Sequence, residues 1–195
     1  MIEIKNITKS YNEKHALSEL SAKLPDKGLV LIAGPSGSGK TTLLKILMGF
    51  EKPDCGEIIM EKDVSFSVVF QEDRLLEERS ALKNVTFVME PEDPEKAAAV
   101  LSDMGLSEDV DKAVKNLSGG MARRVAIARA LAVKADVYLM DEPLKGLDAE
   151  NRKLILEKIR EYTKDSLLIL ISHNPEEIED PDMVINLKKA SDPKE

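Results

Sequence analysis

The chain has 195 residues, 43% of them hydrophobic and 33% charged, with one cysteine and a formal net charge of −8. This composition excludes a disordered or fibrous protein and an internal disulfide, and it opposes general attraction to nucleic acid, so we expect no nucleic-acid partner. No uninterrupted apolar run exceeds five residues, far short of the roughly 20 that a membrane-spanning helix needs. The first residues show no charged-then-apolar signal pattern, so we expect a cytoplasmic protein.

Strands and helices alternate along the chain, and no linker or repeat divides it, so we expect a single domain over residues 1–195. Apolar and polar residues alternate in Ile2–Lys5, which predicts a half-exposed strand. The continuous apolar run Leu29–Ala33 predicts a strand covered on both faces. A helix is predicted over Lys40–Met48, with Gly49 just past its end.

The middle of the chain changes from strand to helix patterns. Ile58–Met60 and Val64–Phe70 flank a short polar stretch, and the alternation in the second segment predicts a hairpin with one buried face. From about Lys83 to Lys134 the sequence is mostly helical. Within it, Asp93 is expected to cap a helix that Gly105 ends.

Two further buried strands are predicted at Val137–Met140 and Leu167–Ile171, and a last strand begins at Met183. Between the two buried strands lies a helix whose apolar face we assign to Leu154, Leu156, Ile159 and Tyr162. The predicted fold is therefore α/β, with a mostly parallel sheet and a helical insertion before Val137.

A phosphate-binding loop is predicted between the strand Leu29–Ala33 and the helix that follows it. The residues that fit the pattern G-x-x-x-x-G-K-[ST] are Gly34, Pro35, Ser36, Gly37, Ser38, Gly39, Lys40 and Thr41, with Thr42 next in the helix. Backbone N–H groups of such a loop and the helix N-terminus can bind phosphate oxygens. Lys40 would reach the β- and γ-phosphates, and Thr41 would bind Mg²⁺. The alternative is a plain glycine-rich turn, which the order of strand, loop, lysine and helix disfavours.

A second metal-binding element is predicted where the strand Val137–Met140 ends in Asp141 and Glu142. The carboxyl end of a parallel strand lies at the edge of the sheet where ligands bind. Asp141 would therefore hold Mg²⁺ or its water shell, and Glu142 would polarise an attacking water. The alternative is a polar exit from a strand.

The remaining features narrow the class of nucleotide-binding protein. An Asn-Lys-x-Asp element that would read guanine is absent from the sequence, and Arg123, Arg124 and Arg129 cluster on a helix rather than in a lid. Ser118 caps that helix, and Gly119 and Gly120 leave its first N–H groups open to an anion. A second phosphate receptor in one chain suggests that two chains sandwich ATP head to tail.

The sequence resembles the ATP-binding cassette family, the ATPase subunits of ABC transporters, over nearly the entire chain. Leu117–Met121 is similar to the family signature, although Met121 stands where the family most often has Gln. The resemblance implies that Tyr11 stacks on adenine, that Gln71 contacts Mg²⁺ and senses the membrane partner, and that Gly146–Asp148 crosses the dimer interface. It also identifies His173 with the histidine that contacts the γ-phosphate. Read alone, Tyr11 could be a packing residue and His173 an ordinary loop residue.

The same resemblance implies the rest of the organisation. We expect a P-loop core with a small antiparallel β subdomain and a helical subdomain at about 72–134. ATP and Mg²⁺ are the expected cofactors, with Thr41, Gln71 and Asp141 at the metal, Glu142, His173 and Lys40 in catalysis, and Ser118, Gly119 and Gly120 on the partner chain's ATP. The expected partners are a second ATPase subunit, identical or related, an integral membrane permease and an extracytoplasmic solute-binding protein. The protein would lie peripherally at the inner face of the cell membrane.

Three stretches resemble the subgroup that serves importers of nitrate, sulfonate and taurine: Phe70–Leu76, Asn84–Val85 and Asp141–Asp148. The expected function is therefore ATP hydrolysis that energises solute import through a separate permease. Two alternatives remain: a cassette ATPase with a soluble assembly or scaffold role, and a catalytically silent ATP-binding module. Leu75 and Leu76 either accept a helix of the permease or are buried within the helical insertion.

Overall fold

The computed structural model describes residues 2–12, 14–61 and 63–189. Its strands are β1 Ile2–Tyr11, β2 Lys14–Leu24, β3 Gly28–Ala33, β4 Cys55–Met60, β5 Phe66–Val69, β6 Val137–Asp141, β7 Leu167–Ile171 and β8 Met183–Asn186. Its α-helices are α1 Lys40–Leu47, α2 Ala81–Thr86, α3 Pro94–Asp103, α4 Gly119–Leu131 and α5 Ala149–Thr163, and short 3₁₀ helices span Val114–Asn116 and Pro175–Glu177. Among the described residues, no helix is both long and apolar enough to span a membrane.

The larger sheet has five parallel strands in the order β5-β6-β7-β3-β8. Side chains of its central strands alternate between two apolar layers: Leu31 packs towards α4 and α5, whereas Ile32 packs towards α1 and the second sheet. Because both faces are covered, the central strands are continuous apolar runs, as the sequence predicts. All five carboxyl ends meet at one edge of the sheet.

The smaller sheet has three antiparallel strands in the order β2-β1-β4. Ile2, Ile4 and Ile7 of β1 are buried against the parallel sheet and α1. This sheet covers the face of the core opposite α4 and α5. The predicted α/β class, with a parallel sheet, a small antiparallel sheet and a helical insertion, therefore matches the structure.

The predicted hairpin of Ile58–Met60 and Val64–Phe70 is wrong. Met60 pairs with Ile2 in the antiparallel sheet, whereas Phe66 pairs in parallel with Val137 of β6. The connection is anchored by Ser65, whose N and Oγ donate to Asp136 Oδ2 at 2.9 and 2.6 Å. In β5 the buried residues are Ser67 and Val69, whereas Phe66 and Val68 of the predicted buried face are half-buried. Alternation also does not identify the strand with which a segment pairs.

The helices begin where the sequence places caps. Asp93 Oδ1 accepts from the backbone N of Lys96 at 2.9 Å, and Ser118 Oγ accepts from that of Met121 at 3.2 Å. The apolar face of α5 differs in part from the prediction: Ile155 and Ile159 are buried, whereas Leu154 is 43% exposed. These two isoleucines are four residues apart and so lie on one face of the helix.

Candidate nucleotide site

The loop from Gly34 to Gly39 joins the buried end of β3 to α1, and its shape depends on glycine at two positions. A Cβ on Gly39, where φ is +90°, would lie 2.2 Å from the carbonyl oxygen of Ala16 in β2. A Cβ on Gly34, where φ is +149°, would lie 2.4 Å from the carbonyl oxygen of Leu187. Backbone from both sides of the loop therefore fixes its width.

Lys40 points into the curve of this loop. Its Nζ donates to the carbonyl oxygens of Gly34 at 2.7 Å and Pro35 at 2.9 Å, and the residue is 7% exposed. Ser38 Oγ, also buried, makes no hydrogen bond within the described part of the chain. A buried hydroxyl without a partner is costly, so this atom is suited to a polar ligand in the loop.

Thr41 and Asp141 approach each other from α1 and from the end of β6. Thr41 Oγ1 donates to Asp141 Oδ2 at 3.3 Å. Burial and the neighbouring Glu142 carboxylate raise the pKa of Asp141, and the Thr41 hydrogen bond, Arg123 and Lys40 partly offset that rise. Thr41 and Asp141 offer a hydroxyl and a carboxylate, the hard oxygen donors that Mg²⁺ prefers, and Gln71, whose amide also carries an oxygen, lines the same cavity. The residues present fit this ion.

Glu142 and His173 come from the loops after β6 and β7 and meet at the sheet edge. The Nε2 of His173 lies 2.6 Å from Oε1 of Glu142, and the Glu142 side chain is 8% exposed. The backbone of Glu142 has a φ of +51°, and its N–H donates to the carbonyl oxygen of Ile171 at 3.0 Å. Lys145 Nζ lies 3.7 Å from the other carboxylate oxygen. Sequence reasoning missed the left-handed backbone of Glu142.

A cavity of about 260 Å³ collects most of the predicted site residues. The residues that line it are Ala16, Ser36, Gly37, Gly39, Lys40, Thr41, Thr42, Gln71, Asp141, Glu142 and His173. Gly34 and Pro35 contact the cavity indirectly, through the carbonyls that hold Lys40. Ala16 was not predicted, because a small apolar residue in a strand gives no signal of its own.

Two groups of predicted residues lie outside this cavity. Tyr11, at the end of β1, is 44% exposed, with Lys9 Nζ 5.4 Å from the centre of its ring. At the start of α4, Ser118 and Gly119 are exposed, and a Cβ on Gly119 would meet open space. Gly120 packs against the loop before α5, because a Cβ there would lie 3.4 Å from the Gly146 carbonyl oxygen.

Sequence reasoning also missed a role for Arg123, which it noted only as one of three arginines on a helix. Its guanidinium is buried between the ends of β5 and β6, and the residue is 4% exposed. A charged residue between apolar positions of a buried helix was the available signal, since buried charges are always paired or hydrogen-bonded.

The loop around Lys40, between a buried parallel strand and a helix, and the neighbouring strand that ends in Asp141 define a P-loop nucleotide-binding domain. The chain matches the family model described as "ABC transporter" over residues 17–145, and it belongs to that family. It is 33% identical to the spermidine/putrescine import ATP-binding protein PotA of Mesoplasma florum, over 91% of this chain and 55% of PotA. The chain therefore spans about half the length of that relative.

Two further comparisons extend this result. The chain is 37% identical to the phosphonates import ATP-binding protein PhnC 1 of Natronomonas pharaonis, over 87% of this chain and 80% of that protein. Its fold is similar to a dimeric structure of the bacterial ABC transporter cassette MJ0796, with a TM-score of 0.86, 28% identity and coverage of 100% of this chain and 97% of that one. The same cassette is also known as a dimer in a post-hydrolysis state bound to ADP and Pi. The predicted fold class is confirmed.

Proposed function

We propose that this chain is the ATP-binding and ATP-hydrolysing subunit of an ABC transporter and that it energises solute import through a separate membrane permease. One observation supports the proposal above the others. Lys40, Thr41, Asp141, Glu142 and His173 line a single cavity, so groups suited to phosphate, metal and water lie together. The similarity to import ATP-binding proteins and to a cassette bound to ADP and Pi supports the same conclusion.

The loop residues 34–42 bind the phosphates in this proposal. Lys40 already lies inside the loop, where its ammonium can exchange its carbonyl partners for phosphate oxygens. Thr41, Asp141 and Gln71 would hold Mg²⁺, which, when bound, neutralises charge on the phosphate oxygens. Ionised Asp141 is needed for this, although burial raises its pKa.

Glu142 orients the attacking water and accepts its proton, and His173 hydrogen-bonds to the γ-phosphate. The proximity of the two side chains supports these roles, because both line the cavity and Nε2 of His173 lies 2.6 Å from Oε1 of Glu142. A positioned carboxylate is an effective general base. Phosphoryl transfer otherwise needs positioning and charge neutralisation more than covalent chemistry.

Tyr11 stacks on the adenine base. Its ring is 44% exposed at the rim of the antiparallel sheet, and Lys9 is held nearby by ion pairs with Glu51 at 2.9 Å and Asp54 at 3.2 Å. An exposed aromatic ring of this kind offers a flat surface for a base.

Two ATPase subunits, identical or related, sandwich two ATP molecules. Ser118, Gly119 and Gly120 of each subunit bind the ATP held by the other. This agrees with the exposure of Ser118 and Gly119 and with the position of all three residues outside the subunit's own cavity. The helical subdomain that carries them spans about 72–134 within a single ATPase domain. Met121 leaves the cap and the backbone N–H groups intact, so its departure from the family pattern does not remove this phosphate receptor.

The permease docks on the helical side. An open groove of about 730 Å³ lies between the loop before α2 and the end of that helix, where Leu76 is 45% and Phe87 71% exposed. Leu75 also lines this groove and packs partly against the core. Large exposed apolar side chains grouped in a groove are typical of protein contacts. An extracytoplasmic solute-binding protein and a position at the inner membrane face follow from an importer role.

The narrower resemblance, to importers of nitrate, sulfonate and taurine, stays a prediction. The relatives described above are named for polyamine and phosphonate import. The transported solute does not contact the ATPase in this proposal, so the residues of the nucleotide site do not identify it.

The proposal is tested by two measurements on the purified chain. Hydrolysis of ATP should depend on Mg²⁺. A tagged chain should copurify from membranes with a permease, and Phe87→Ser should weaken that capture. Leu154→Ser, which also replaces an exposed apolar side chain by serine but lies on α5, should not weaken it. Mg²⁺-dependent hydrolysis by a chain that captures no membrane protein would indicate a soluble cassette ATPase instead.

A further inference from the structure

Arg123 lies in the first two turns of α4 with its guanidinium buried under the edge of the parallel sheet. Although the group carries a full charge, the residue is 4% exposed, and within the described part of the chain its one ion pair is with Asp73 at 2.8 Å. All three guanidinium nitrogens donate hydrogen bonds, mostly to backbone carbonyls. Such an arrangement replaces the hydration that the charge loses on burial.

One edge of this guanidinium binds the backbone at the end of β6. Nη2 donates to the carbonyl oxygens of Asp141 at 2.6 Å and Glu142 at 2.8 Å, and Nε donates to that of Pro143 at 3.2 Å. These three residues include the proposed metal ligand and the proposed general base. The guanidinium therefore contacts the peptide units that carry both carboxylates.

The other edge binds the segment after β5. Nη1 donates to the carbonyl oxygen of Phe70 at 2.6 Å and more weakly to that of Gln71 at 3.4 Å. Arg129, further along α4, donates to the carbonyl oxygens of Asp73 and Arg74 at 2.8 Å. The backbone on both sides of Gln71 is thus fixed to α4.

The backbone of Glu142 needs such support. Its φ of +51° lies in the left-handed region, which a residue with a long side chain leaves unless its surroundings hold it there. Its N–H donates to the carbonyl oxygen of Ile171, and its carbonyl accepts from Arg123 Nη2 at 2.8 Å and from the Lys145 N–H at 3.1 Å. A guanidinium is planar and rigid, so it fixes the distance between the carbonyls on its two edges in a way that an ammonium cannot.

We propose that Arg123 is a positioning residue that holds the Glu142 carboxylate in its catalytic orientation and ties it to Gln71 and to the start of α4. The proposal rests on the ATPase function proposed above. A shift of α4 relative to the core would move Glu142 and Gln71 together, because one rigid group bonds to both segments.

The test compares Arg123→Gln and Arg123→Lys with Arg124→Gln as the matched control. Arg124 is the next residue on α4 and also donates to backbone carbonyls, those of Met104 and Gly105, but away from the ends of β5 and β6. We expect both Arg123 variants to lower kcat by roughly 100-fold, the scale of a misplaced catalytic group, with KM and ATP affinity within about twofold. The control should keep its kcat even if its Tm falls equally.

A second measurement asks whether Arg123 acts through Glu142. In a Glu142→Gln background, Arg123→Gln should cause no further loss of the residual hydrolysis, because the group it positions is already disabled. An additive loss, or recovery of kcat by Arg123→Lys, would overturn the proposal. So would unfolding of both Arg123 variants at the assay temperature while Arg124→Gln stays folded, since Arg123 would then be a structural residue.

A readout without ATP separates this inference from the proposed function. The chain has two histidines, His15 and His173, so the imidazole NMR signals of His173 can be assigned with one His15 variant. Arg123→Gln should shift those signals at constant pH, because Glu142 leaves His173, and Arg124→Gln should not. Absence of hydrolysis in the unmodified chain would contradict the ATPase function, whereas an unshifted His173 signal would contradict the role of Arg123.

Discussion

The Nε2 of His173 and Oε1 of Glu142 are 2.6 Å apart, although the two residues follow different strands. The contact arises from the register of the parallel sheet, in which Asp141 of β6 lies opposite Ile171 of β7. The loops that leave these two positions start side by side at the carboxyl edge. The register of the sheet therefore brings together the proposed general base and the imidazole of His173.

Replacement of Glu142 by Gln should separate ATP binding from hydrolysis. The amide cannot accept the proton of water, so kcat should fall by at least about 100-fold, whereas the loop around Lys40 is unchanged. Light scattering with ATP and Mg²⁺ should then detect a trapped dimer. Glu157→Gln, an exposed change on α5, is the control, and unchanged turnover of Glu142→Gln would remove this residue from catalysis.

Lys40→Ala should weaken nucleotide binding rather than turnover alone. A hydrogen bond to a charged group contributes about 1.5–3 kcal/mol, so the ATP Kd should rise by at least about tenfold. Fluorescence titration with a nucleotide analogue measures this directly. Lys45→Ala provides the control, because Lys45 is exposed on the same helix. Equal affinity of the two variants would show that the Lys40 ammonium does not bind phosphate.

Ser118→Arg should abolish hydrolysis without preventing ATP binding by the single subunit. The long cation would occupy the open space in front of α4, where we place the second subunit's ATP. The substitution also removes a helix cap, which costs about 1 kcal/mol. Ser80→Arg controls for that loss, because Ser80 Oγ caps α2 in the same way, accepting from Lys83 N at 3.2 Å. Full activity of Ser118→Arg would contradict the composite site.

Asp141→Asn should raise the Tm of the nucleotide-free chain at pH 7. Burial raises the pKa of Asp141 in the folded state above its unfolded value, so the native state binds more protons and loses stability as pH rises through this interval. The Tm advantage of the variant should therefore be present at neutral pH and vanish in acid. A constant difference across the pH range would contradict this reasoning.

Asp148→Asn should lower the Tm at pH 7, which is the opposite of the change expected for Asp141→Asn, and it serves as the comparison. Hydrogen bonds from the backbone and side chain of Asn151 lower the pKa of Asp148. A lowered pKa gives stability that is present above the unfolded value and is lost as pH falls through the folded value. As pH falls, the Tm of both variants should therefore converge on that of the unmodified chain, from above for Asp141→Asn and from below for Asp148→Asn.

Sequence patterns predicted the residues of the site better than the pairing of the strands. The strand before Gly34 and the strand before Asp141 are both buried apolar runs, and parallel packing necessarily brings their ends together. The hairpin was predicted wrongly because alternation along Val64–Phe70 does not identify the strand with which that segment pairs. Arg123 was missed because its partners are carbonyls from two distant loops, and backbone carbonyls have no sequence signature.

The close approach of Gly39 to the carbonyl oxygen of Ala16 links the phosphate loop to the antiparallel sheet. The loop motif alone does not determine the loop's width, since one wall is backbone from β2, far earlier in the chain. A minimal fragment that begins at β3 would retain every residue of the motif and lose that wall. A scaffold that receives this motif therefore needs the backbone of a strand at the position that β2 occupies here.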